Sequence, residues 1–233
     1  MDNPVENLQV GKLQIPFDVA RRWIADYTNE ANGWSTNPYA FPAYDRYQQQ
    51  HNDPSRLTDA DLLAPGLLNV PVKLRTFYGL RHVRAKLELA LANNDLGFDL
   101  ATIEDSTRIA GMIKPLYAVL DDPVTSPWGV GVTLLSKVLH RKRPKSIVLH
   151  DKWVQRCYVG KDAPVVPVKG RSWSDYMTAI TEAIARDIRT QAGVFTLLDR
   201  ATSSPGELSH VRLLDILAWQ SKGQPPREAA DGA

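Results

Sequence analysis

Apolar residues recur at helical spacing through most of the chain, and strand-like alternation is sparse. After Pro16, the segment FDVARRWIADYTNEA puts Phe17, Ala20, Trp23, Ile24 and Tyr27 on one face, and Gly33 ends that helix. Thr58, with Asp61 three residues on, opens a short helix that Pro65-Gly66 stops. A long amphipathic helix follows Pro71 and ends at Asn93-Asn94, its apolar side formed by Leu74, Phe77, Leu80, Leu87 and Leu91. Lys73, Arg75, Arg81, Arg84 and Lys86 stud its other faces and read as a solvated surface. Further helices are expected over Ile103–Leu120, with a kink at Pro115, over Lys152–Tyr158, over the periodic stretch after Ser172 or Ser174, and over Leu208–Gln220. Residues 1–15 read as an extended arm and Gly160–Gly170 as an extended loop, while strand signal is confined to Ser146–Leu149 and Val165–Val168. The expected fold is mainly α with little or no sheet. One globular helical unit should span residues 1–222, in one lobe or two with a cleft between, before a disordered tail at 223–233.

The segment from Trp34 to Pro54 breaks the helical rhythm. Trp34, Tyr39, Phe41, Tyr44 and Tyr47 fall among Pro38 and Pro42, with room for a short helix at Ala43–Gln50. Such a loop is either pinned to the core by its rings or forms the wall of a pocket that stacks a planar ligand.

With 233 residues the chain can bury a sizeable core. No apolar run approaches the roughly 18–20 residues of a membrane span, and no basic-then-apolar leader opens the sequence, so the cytoplasm is the expected compartment. The single cysteine, Cys157, excludes an internal disulfide and a cysteine-held metal cluster, and reads as a small buried residue. His51, His82 and His210 lack metal-ligand spacing, and no cofactor is implied. Net charge is only +2, but Lys137, Arg141, Lys142, Arg143 and Lys145 cluster with His140 and no acid between them. That run is either a solvated surface or a track for a polyanion.

The cluster belongs to GVGVTLLSKVLHRKRPKSIVLHD, Gly129 to Asp151. A helix entered through Gly-Val-Gly presents unsatisfied N–H groups and the positive end of its dipole, which suits phosphate oxygens. Asp151 stands just before the Lys152–Tyr158 helix, where it can be that helix's N-cap, a functional carboxylate, or both. His150 beside it reads as a packing or hydrogen-bonding residue.

Loop, helix, basic run, apolar triplet and aspartate together resemble the helix-hairpin-helix DNA glycosylases, the superfamily of endonuclease III. Their loop reads Leu-Pro-Gly-Val-Gly, and their catalytic aspartate lies twenty-two positions beyond its first glycine, as Asp151 does from Gly129. The resemblance covers Leu120–Tyr158, with the hairpin motif expected at about 105–158. Pro127-Trp128 stand where the family has Leu-Pro, and the cysteines of its iron–sulfur cluster are absent. The Schiff-base lysine of bifunctional members is replaced by Thr133.

The resemblance therefore implies a monofunctional enzyme that binds duplex DNA with a flipped base and needs no cofactor, membrane or obligate protein partner. Asp151 would stabilise the oxocarbenium sugar and orient water. Gly129, Val130, Gly131, Val132 and Thr133 would hold a phosphate, Lys137, Arg141, Lys142 and Arg143 neighbouring ones, and the aromatic segment would supply the base pocket. Divergence from the common pattern points to a damaged or modified base outside the usual repair set, such as a hypermodified phage base. Two other readings stand: a non-catalytic helix-hairpin-helix DNA-binding protein, and a helical interaction protein whose basic run meets an acidic partner.

Overall fold

A computed structural model of the chain describes residues 7–34, 43–47 and 53–226, without the side chain of Trp34. The described residues form ten α-helices and one two-stranded sheet, a mainly α fold.

The expected N-terminal arm is instead a hairpin. Strands β1 (Asn7–Val10) and β2 (Leu13–Pro16) pair antiparallel, Leu8 opposite Ile15 and Val10 opposite Leu13. Those four side chains are buried, and Asn7, Gln9 and Gln14 point outward. The alternation is of period two, but only four residues long on each side of Gly11-Lys12, too short to stand out. No sheet forms at the two places where strand was expected. Ser146–Leu149 is buried but irregular, and Val165 makes only a single bridge, to Val159, with Val166 and Val168 exposed.

The core is built on two helices, α5 (Ser106–Asp121) and α8 (Trp173–Thr190). Ile109, Met112, Ile113, Leu116 and Tyr117 of α5 and Met177, Ile180, Ile184 and Ile188 of α8 are all buried. Pro115 lies inside α5 without ending it. Helix α4 (Leu74–Leu91) packs on α5. It starts three residues after Pro71, and Leu74, expected on its apolar side, is 73% exposed. On the other side of the core, α1 (Phe17–Thr28), α7 (Lys152–Tyr158) and α9 (Ala192–Asp199) surround α10 (His210–Ser221). The short helix α2 (Ala43–Arg46) ends earlier than expected, and α3 (Asp59–Leu63) carries a complete capping box between Thr58 and Asp61. One continuous apolar cluster runs from Leu8 to Ala218. Among the described residues no helix is long and apolar enough to cross a membrane.

Helix α6 (Val132–His140) sits in the middle of this. All of its residues except Thr133 are buried, so it is a central rod and not a surface helix.

Candidate functional site

The loop before α6 is held against α4 at close range. Gly129 adopts φ +69°, a conformation that side chains rarely take, and Thr76 Oγ1 donates to its carbonyl at 3.3 Å. Opposite, Gly79 has no room for a side chain: a Cβ there would meet the Trp128 carbonyl oxygen at 2.6 Å and its nitrogen at 2.9 Å. Gly79→Ala is therefore expected to push the loop off α4 and cost about 1–3 kcal/mol by overpacking. Gly111→Ala, on α5 with nothing within 4 Å among the described residues, is the control and should be neutral or slightly stabilising in denaturant titrations.

Gly131 is the N-cap of α6 and offers no capping side chain. Helix starts leave their first N–H groups without intrahelical partners, and at this one Gly131 is exposed, Thr133 half-buried and Val132 buried. The Val130 amide is used in the turn, donating to the Pro127 carbonyl at 3.3 Å. Trp128 is 67% exposed, with the Arg75 guanidinium 5.6 Å from its ring centre. Lys73, just before α4, and Tyr78, in its first turns, are also exposed.

From α6 the chain returns along its own helix. The His140 Nδ1 lies 2.6 Å from the Ile147 carbonyl, and the His150 amide donates to Ser136 Oγ at 3.0 Å. Burial lowers the His140 pKa to about 3, so this ring adds no positive charge to the basic run at neutral pH. His150 is likewise lowered to about 4 by burial, and its Nε2 contacts the Tyr176 hydroxyl at 2.9 Å. These bonds bring Asp151 level with the start of α6. Its Oδ1 accepts from the Trp153 and Val154 amides at 2.8 and 3.0 Å and caps α7. The carboxylate is half-buried and lines a cavity of about 450 Å³.

Thr133 and Lys137, one turn apart on α6, line the same cavity, as do Asn69 and Val70 just before α4. The far wall comes from α1 and α10: Tyr27, Arg212, Asp215 and Trp219. Trp153 completes the aromatic lining, with Lys152 Nζ 4.3 Å and Arg156 4.7 Å from its ring centre. Tyr27 and Trp219 meet edge to face at 6.2 Å. Arg212, only 3% exposed, bonds Asp45 at 2.8 and 3.1 Å and also donates to the Tyr27 hydroxyl and to Asp215. Burial raises the Tyr27 hydroxyl to about 12, so it stays protonated.

Several sequence expectations change here. Arg141 and Lys142 do not form an outward cationic track. Both are spent on Asp61, at 3.3 and 2.7 Å, and their side chains are 6% and 1% exposed. Arg141 also donates to the Tyr44 and Tyr47 carbonyls. Burial works against the Asp61 carboxylate, but Lys142 and Thr58 outweigh it and hold its pKa below the usual value. The Arg143 guanidinium donates to the Leu91 carbonyl at 2.9 Å. Lys137 is 3% exposed and stands in the cavity wall. The physical reason is common to Arg141, Lys142 and Arg143: they follow a buried helix, so their charges meet an internal acid and internal carbonyls.

The aromatic segment also departs from expectation. Tyr44 is buried, its hydroxyl donating to the Lys137 carbonyl, and Tyr47 lies outside the cavity wall beside Arg141. Tyr39 and Phe41 lie outside the described residues, as does the side chain of Trp34. Sequence reasoning does not reach Tyr27, Trp153, Arg212, Asp215 or Trp219 as site residues. One signal points to two of them: Arg212 and Asp215, three apart, stand among the apolar residues Val211, Leu213, Leu214, Ile216 and Leu217. Among the described residues no cluster of His, Cys, Asp and Glu has an arrangement that could hold a metal.

Residues 20–222 match the model of a family described as a family of unknown function (DUF6308). No curated protein and no solved structure matches the chain.

Proposed function

The chain belongs to the DUF6308 family, and from its site we propose that it is a monofunctional DNA glycosylase that excises a damaged or modified base. The observation that carries this reading is the setting of Asp151. Twenty-two residues after Gly129, it is fixed by α7, half-buried, and placed in the wall of a 450 Å³ cavity. A nucleobase fits such a space, and Tyr27, Trp153 and Trp219 give it apolar faces.

The chemistry follows. The C1′–N bond of a flipped nucleotide breaks, and its electron pair leaves with the base, which takes up a proton. Positive charge builds on the sugar, and the Asp151 carboxylate stabilises it at close range. Water adds to C1′ and passes one proton to Asp151, which releases it to solvent and so balances the solvent proton taken up by the base, leaving free base and an abasic site. Thr133 has no amine with which to form a Schiff base, so the strand is not cut.

The backbone around Gly129, Gly131 and Val132 would hold a phosphate through N–H groups at the start of α6. Lys73 and Arg75, with Trp128, supply the exposed cations and ring beside that loop that Arg141 and Lys142 do not. Incubation with duplexes carrying damaged bases or phage-type hypermodified bases should yield alkali-labile abasic sites from at least one of them. A panel with no base release would leave the non-catalytic DNA-binding reading. The third reading, a surface for an acidic partner, finds less exposed charge in the run, because Arg141 and Lys142 are paired internally while Lys145 is exposed.

Changing Lys73 and Arg75 together to Ala should weaken binding to any duplex sequence. The slope of log affinity against log salt should become shallower by about 0.9 for each phosphate no longer neutralised. Unchanged slopes in anisotropy titrations would remove α4 from the interface.

A further inference from the structure

We propose that Lys137 is the leaving-group site of this cavity: its ammonium donates to an acceptor atom of the bound base and holds the negative charge that the base carries away. The inference rests on reading the cavity as a nucleobase pocket.

Lys137 lies one turn after Thr133 on α6, is 3% exposed, and lines the cavity. Its ammonium makes no hydrogen bond or ion pair among the described residues. Five side-chain polar atoms of those residues are both sealed and unpartnered, and this nitrogen is not one of them. The little surface it keeps therefore opens on the cavity. A buried charge is costly unless it is paired, and lysines are almost never fully buried without a partner. Lys142, as deeply buried, has Asp61 at 2.7 Å. A ligand with an acceptor in the cavity supplies the partner that Lys137 lacks.

The other cations of the wall narrow the role. Arg212 is committed to Asp45, Asp215 and Tyr27. Lys152 is exposed, its ammonium over the Trp153 ring, and water and salt screen it. Lys137 is the buried cation left to a ligand, and it shares the cavity with the Asp151 carboxylate. Heterolysis of a C1′–N bond makes charge of both signs. Asp151 answers the positive sugar, and Lys137 answers the electron pair that moves onto the base. A cation away from water stabilises that pair more than a hydrated one does. No proton is transferred in this contact, and the base still takes its proton from solvent. The base must turn a carbonyl oxygen or an unprotonated ring nitrogen toward Lys137, since an amino group there would set donor against donor.

The test uses free heterocycles as mimics of the departing base. Urate is compared with hypoxanthine and barbiturate with uracil; at neutral pH the first of each pair is an anion and the second is uncharged. Titrated into the full chain and followed by protein NMR, the anions should bind at least about ten-fold tighter, the scale of one charge-assisted hydrogen bond. Lys137→Met, uncharged and of similar length, should erase the preference and fold at least as stably as the parent, since no internal partner is lost. If that variant fails to fold, the unchanged protein decides: the Lys137 side-chain signals should move with the anions and stay in place with the neutral bases. Equal affinities within each pair, a preference that survives in Lys137→Met, anion binding that leaves the Lys137 signals in place, or no binding up to the solubility limit overturns the proposal. Single-turnover release from duplexes is measured alongside, and Lys137→Met should slow it by about 10²-fold. Release unaffected by Lys137→Met removes the role of Lys137 and leaves the glycosylase; Lys137-dependent anion binding with no release from any duplex does the reverse.

Discussion

Asp151→Asn is expected to slow base release by about 10²–10³-fold, the scale of losing one aligned electrostatic group in a transition state, while the folded protein stays nearly as stable as the parent. The two effects separate because the carboxylate has two jobs. Its Oδ1 caps α7 through the Trp153 and Val154 amides. Asparagine caps a helix about as well as aspartate, so the stability change should stay within about 0.5 kcal/mol. What asparagine lacks is the negative charge that the oxocarbenium sugar requires. Asp151→Ala loses both, and should cost a further ~1 kcal/mol through the cap. It should also loosen Trp153, which the same helix holds in the cavity wall. Single-turnover release on the best substrate of the panel, with denaturant titration of each variant, measures both quantities. Release by Asp151→Asn within a few-fold of the parent would show that the residue is a cap and nothing more.

Arg212→Ala should be the most destabilising single change, by about 3–5 kcal/mol, because it removes the buried cation that pairs with Asp215 and Asp45. Arg212 is 3% exposed, and Asp45 and Asp215 are buried with it. The corresponding fall in Tm is roughly 6–20 °C for a domain of this size. The loss has a pH signature. In the variant, burial holds the Asp215 carboxyl above its unfolded value with no Arg212 to pull it down, so folding takes up a proton. Stability from such groups is present at low pH and lost as pH rises through the raised pKa. The deficit against the parent should therefore be smaller near pH 5 than near pH 7. A deficit of under about 1 kcal/mol, or one that grows on acidification, would mean that water or another cation reaches Asp45 and Asp215.

Much of the helical scaffold was legible in the sequence because its signals are local. The Thr58 capping box and the Lys152–Tyr158 helix appear at the residues expected. The β1–β2 hairpin was not legible, since two four-residue alternations are short next to a long helix. The near edge of the site was legible for the same local reason: Thr133 and Asp151 belong to one continuous stretch. Its far wall was not. Tyr27 and Trp219 come from distant parts of the chain, and no local pattern joins them. The basic run misled because charge reads alike in water and against a buried acid. The partner that decides between the two, Asp61, lies 80 residues before Arg141.

The way early and late parts of the chain meet has a consequence for how the molecule is made. Gly11 donates to Asp187 at 2.8 Å, Lys12 to the Cys157 carbonyl at 2.9 Å, and Gln9 to Gln191 at 2.7 Å. The two strands thus find their partners only after α7 and α8 have emerged, and α10, which completes the cavity, emerges later still. Contacts of such long sequence separation form slowly. The nascent chain carries Asp151 through the synthesis of three further helices before the wall opposite it exists, so the site is assembled only once α10 has left the ribosome.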